Sequence, residues 1–117
     1  NEMTVLKKLE LLNVGDNYLE SLPENIGNLT ELRFLYINRN KLFNIPESVA
    51  NLQNLQELDA VRCGVLKLTN AFSDIWTLEN VYIDERTTPF YQNPQFIGRQ
   101  NIEIVGRERN FYRPTQN

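Results

Sequence analysis

Residues 32–55 read LRFLYINRNKLFNIPESVANLQNL, and this stretch decides the fold. Its apolar positions are Leu32, Leu35, Ile37, Leu42, Ile45, Val49, Leu52 and Leu55, with Asn40 and Pro46 set between them. Leu35 and Ile37 flank a residue that must point the other way, the period-two pattern of a strand with one apolar face. Pro46 followed by Glu47, Ser48 and Val49 suits a short helical turn with proline at its start.

A step of 23 residues in either direction meets the same chemistry. It links Leu6, Leu29, Leu52 and Ile75, then Leu9, Leu32, Leu55 and Leu78. It also links Leu12, Leu35, Leu58 and Val81, and Val14, Ile37, Ala60 and Ile83. Asn17, Asn40 and Cys63 share a column, as do Leu19, Leu42 and Val65, and Leu22, Ile45 and Leu68. Met3, Ile26, Val49 and Phe72 complete the set. A fixed period of this length marks a stack of identical supersecondary units, none able to bury its apolar face alone.

Each unit returns the chain to the same starting point, so successive strands become parallel neighbours in one sheet. The Asn ending each strand can satisfy backbone groups that no ladder reaches in the sharp turn that follows. Pro23 and Pro46 stiffen the outer return, expected as short helix or loop. The shorter outer spacing then puts the sheet on the concave side.

The pattern resembles the leucine-rich repeat family over about residues 3–88. The 23-residue unit with Leu/Ile-Pro is similar to the intracellular Ras-pathway and bacterial types. This resemblance implies an α/β fold, a short horseshoe-shaped solenoid. It would have a parallel concave sheet of four to five strands and a convex side of short helices and loops. It further implies a non-catalytic module that binds another protein through its concave face, alone or within a larger scaffold or sensor. An exported or surface-bound bacterial recognition protein, binding host protein or glycan, is the alternative.

The units span residues 1–88, about four in all, the first entered partway. Thr69 replaces the proline in the third unit, and a slightly longer helix is expected around Ala71–Trp76. In the fourth, Arg86 takes the Asn slot and Thr88 the next apolar one. Residues 89–117 read as an irregular closing segment. Ile102 and Ile104 lie 21 residues beyond Val81 and Ile83, so a last strand is expected at 101–105. The chain opens on Asn1, not Met, and is read as processed or cut from a longer protein. The strand around Leu12–Val14 has no preceding strand, so self-association through this edge is expected.

Composition narrows the function. Residues 1–88 carry 8 basic against 13 acidic side chains, a balance of −5, whereas residues 89–117 balance at +2. An acidic body does not offer the basic track that nucleic acid needs, and the tail arginines read as solvated charge. No apolar run approaches the roughly 18 residues of a membrane span. Cys63 is the single cysteine, and histidine is absent. No internal disulfide, zinc cluster or histidine base is therefore available, and neither enzyme activity nor a cofactor is expected. Nothing demands an oxidising compartment, and the cytoplasm is the expected location.

Function should then lie on strand residues between the buried leucines. The first concave column holds Leu11, Phe34, Glu57 and Asn80, and the second Asn13, Tyr36, Asp59 and Tyr82. Beyond them come Gly15, Asn38, Val61 and Asp84, then Asp16, Arg39, Arg62 and Glu85. The fold requires nothing apolar at these positions. Leu11, Phe34, Tyr36, Arg39, Asp59, Arg62 and Tyr82 are the candidate partner-binding set, since aromatics beside arginine have the composition of interface hot spots. The carboxylates Asp59, Asp84 and Glu85 read as scattered surface polarity more readily than as a cation site.

Overall fold

The structure, a computed structural model, describes residues 8–90 and 100–105. Five strands follow one another in chain order: β1 (Leu11–Asn13), β2 (Phe34–Tyr36), β3 (Glu57–Asp59), β4 (Asn80–Ile83) and β5 (Asn101–Ile104). All four pairings are parallel, and the sheet order β1-β2-β3-β4-β5 equals the sequence order. Among the described residues, three 3-10 helices cross the opposite side, at Ile26–Asn28, Glu47–Asn51 and Asn70–Asp74.

The register follows the repeat. Leu12, Leu35, Leu58 and Val81 stand side by side, and the 21-residue step brings Ile102 next to Val81. Leu35, Leu58 and Val81 have no exposed surface. With Leu32, Leu55 and Leu78 they form the floor of a core closed by Val49, Leu52, Phe72 and Ile75 from the 3-10 side. Phe90 packs on Phe72 with ring centroids 5.9 Å apart. Hydrophobic burial of this kind supplies the main stabilisation, since each unit lacks a core of its own.

Two expectations need correction. Val65 is 59% exposed, and Leu66 is the buried residue of the third unit. Gly64, at a φ of 74°, opens the turn there by one residue, so the chain re-enters the core a position late. The third outer helix is no longer than the second, five residues each, and both are 3-10. A segment that must return within one repeat leaves no length for α-helical propagation, whose first turn is costly. The fourth unit departs from the Asn pattern as expected, and its Arg86 N–H donates to the Asp84 carboxylate two residues earlier.

Candidate functional site

The sheet's open face is built by the strand residues that turn away from the core. The register aligns Leu11, Phe34, Glu57, Asn80 and Asn101 in one row. The next facing row is Asn13, Tyr36, Asp59, Tyr82 and Glu103. Alternation along a strand puts both rows on the same side. Glu103 was not among the expected site residues, although the 21-residue step from Tyr82 points to it.

The turn after each strand fixes the far edge of this face. Backbone pairing continues past the strands, with Val14 N–H donating to Tyr36 O, Ile37 N–H to Asp59 O and Ala60 N–H to Tyr82 O. Asp16, Arg39 and Arg62 then adopt left-handed φ values of 63°, 59° and 63°. Such a conformation is costly for residues with a Cβ. Neighbouring bonds hold it: Asp16 N–H donates to Asn38 O and Arg39 N–H to Val61 O, both at 2.9 Å. Arg62 N–H donates instead to the Asp84 carboxylate, at 2.7 Å. Asp84, buried and also bound by Arg86 N–H, is thus part of the turn and not of a cation site.

Asn40 supports the same turn from inside. Its Oδ1 accepts from Asn17 N–H and Leu19 N–H, and its Nδ2 donates to Val14 O and Ile37 O. Cys63 fills the equivalent slot, buried and free, with its thiol donating to Ile37 O. Burial, the largest influence, pushes this thiol's pKa up. A buried protonated thiol is a structural group, not a nucleophile.

Of the expected residues, Arg39, Asp59, Arg62 and Tyr82 come together around a groove of about 460 Å³, joined by Glu57, Asn38, Val61 and Val105. Tyr36 connects to it through its hydroxyl, which donates to Glu57 Oε2 at 2.8 Å. That hydrogen bond, then burial and the nearby carboxylates, pushes the Tyr36 pKa up to about 12. Burial followed by Glu57, Glu103 and Asp59 raises Tyr82, and burial is also the main influence raising Asp59. Phe34 lies beside Tyr36, centroids 6.4 Å apart, and the Arg33 guanidinium sits 5.4 Å from its ring centre. Leu11 is 47% exposed in the edge strand and does not line the groove.

Some exposed apolar residues lie off this face. Tyr18, Phe43 and Trp76 are 74%, 66% and 56% exposed, and Tyr18 carries Lys41 over its ring. No residue column of the repeat distinguishes them, so periodicity did not single them out. Among the described residues, no group of three or more Cys, Asp or Glu is placed to hold a metal ion, and no helix is long and apolar enough to cross a membrane.

The comparisons with known proteins agree with this architecture. The leucine-rich repeat family model matches residues 8–29 and 31–52. A solved leucine-rich repeat protein of Leptospira interrogans superimposes with a TM-score of 0.64 at 23% identity, over 82% of this chain and 25% of the other. No curated protein matches the sequence. The chain carries leucine-rich repeats and has the leucine-rich repeat fold. It spans a quarter of the length of the Leptospira protein, whose likeness is one of fold. Proteins of this family generally act by binding other proteins.

Proposed function

We propose that this chain is a non-catalytic binding module whose concave sheet face receives a protein partner. One observation carries the reading: the Tyr36–Asp59–Tyr82 row stands on a face that the core does not use, beside an open groove. Half-buried aromatics next to charged groups match the make-up of interface hot spots. Leu11, Phe34, Arg39 and Arg62 would extend the contact across the sheet and its turn edge.

A photo-reactive side chain placed at position 36, and separately at position 24 on the outer side, tests the surface. Cross-linked partner is expected from position 36. With that partner in hand, Phe34→Ala, Tyr36→Ala and Arg62→Ala should each weaken binding by roughly 1–3 kcal/mol where the residue is a hot spot. Cross-linking from position 24 alone, with the three alanine variants binding normally, would place the interface on the outer side.

A further inference from the structure

The charges of the concave face are unevenly placed. Glu57 and Asp59 lie two positions apart on β3 and face the groove, and neither forms an ion pair with a described residue. Among the described residues Glu57 accepts from the neutral Tyr36 hydroxyl, and Asp59 Oδ1 from Val61 N–H. Tyr82 turns toward the same groove from β4, and Glu103 continues its row on β5. The pKa of all three titrating neighbours, Tyr36, Asp59 and Tyr82, is raised in part by these carboxylates. The floor is therefore a negative, aromatic surface that the chain's described residues leave uncompensated. At the turn edge the sign reverses: Arg39 and Arg62 are exposed and also hold no ion pair with a described residue.

Uncompensated charges on a half-buried surface favour a partner of opposite pattern, because complementary potentials raise on-rate and fix register. The floor suits a cation, which the Tyr82 and Tyr36 rings can also attract through their faces. The edge suits an anion. Asp59 ends β3 and Arg62 follows in the left-handed turn after it, so the two charges border one groove, at its floor and at its edge. We infer that the concave face takes an extended polypeptide segment carrying a lysine or arginine over Glu57 and Asp59, and a nearby carboxylate against Arg39 and Arg62. The inference rests on the concave-face reading and adds the partner's chemistry to it.

Selection from a display library of short random peptides tests it, using the whole chain, the Glu57→Gln/Asp59→Asn variant and a charge-matched Glu24→Gln/Glu47→Gln variant. All replacements are nearly isosteric, and amide spectra report whether each variant keeps the fold. Wild type and the outer-face variant should enrich peptides that carry both a basic and an acidic residue. Their affinity for wild type should fall with added salt, and should drop roughly tenfold in the Glu57→Gln/Asp59→Asn variant. An equal drop in the outer-face variant would reduce the effect to net charge and overturn the inference. Enriched peptides without basic residues that still lose binding on Phe34→Ala would leave the concave face standing and overturn only the partner chemistry. Peptides that perturb amides solely around Glu24 and Glu47 would sink both. Enrichment that appears only after Arg107, Arg109 and Arg113 are changed to Gln would make the chain's own C-terminal segment the occupant and overturn an external partner. No enrichment at all would also overturn it.

Discussion

Asn40 and Cys63 hold one position of the repeat by different chemistry. The amide makes five bonds to backbone groups of two units, the longest at 3.4 Å to Asn38 O, whereas the thiol donates to Ile37 O. Beside Cys63, the Asp84 carboxylate accepts from Arg62 N–H, the bond that a backbone carbonyl supplies to Asp16 and Arg39 in the earlier units. The slot was readable from the column of residues; the Asp84 carboxylate's place in the turn was not, because Asp84 lies outside that column. At the same scale, Tyr36 offers a direct reading of the site's field. Its phenol is held protonated chiefly by donating to Glu57, with a pKa of about 12 in place of 10. A folded-state pKa above the unfolded one means this group's stabilising contribution is complete below about pH 10 and is lost as the pH rises toward 12. Because five tyrosines are present, the titration is best followed by ring resonances assigned to Tyr36. The Glu57→Gln variant should bring its midpoint back toward 10. An unchanged midpoint would mean that the Tyr36–Glu57 bond is not what holds the proton.

The outer helices depend on small residues that the leucine pattern does not advertise. Gly27, Ala50 and Ser73 are 23 residues apart and stand within the three 3-10 helices. Gly27 meets the next unit most closely: a Cβ there would collide with the Ser48 carbonyl, and Gly27 N–H donates to Ser48 Oγ. Ser48 in turn donates to Glu24 O, tying the first two outer helices together. Gly27→Ala should therefore cost about 1–3 kcal/mol, the usual penalty for overpacking. Denaturant unfolding measures it, and a loss within a few tenths of a kcal/mol would show that the outer helices slide apart freely. The strands were far more legible than these contacts. A two-residue alternation repeated at 23 states which face is buried, and the structure follows it at Leu35, Leu58 and Val81. The left-handed turns were hidden because Asp16, Arg39 and Arg62 share no chemistry that signals a positive φ. The slip from Val65 to Leu66 was hidden because both are apolar, and only the turn at Gly64 decides between them. The site was legible as a face, not as a cluster: strand alternation named Tyr36, Asp59 and Tyr82, but Glu57's role emerges only from its bond to Tyr36.

Across the whole molecule, a solenoid's stability is a sum of unit and neighbour terms, so it need not be uniform. Leu32, Leu35, Ile37 and Leu42 are each 1% exposed or less. Their counterparts one repeat earlier, Leu9, Leu12, Val14 and Leu19, are only partly buried. These four border an apolar hollow of about 400 Å³ together with Leu22, Ile26 and Leu29. Leu35→Ala should cost about 2–5 kcal/mol, as for other buried leucines. Leu12→Ala, already partly in water, should cost about 1 kcal/mol. Hydrogen exchange separates cover from bonding. Val14 and Asp16 donate to β2-side carbonyls at 2.9 Å, and Ile37 and Arg39 make the equivalent bonds one unit on, also at 2.9 Å. Equal bonds under unequal cover should exchange at unequal rates, because local opening costs less where fewer apolar contacts must break. The amides of Val14 and Asp16 should exchange faster than those of Ile37 and Arg39 in dilute protein. If copies associate through the β1 edge, the two fast amides should slow as concentration rises, while the other two stay unchanged. Equal protection at both pairs in a monomeric sample would mean that the β1 end is as well covered as the interior, and the idea of association through it would fall.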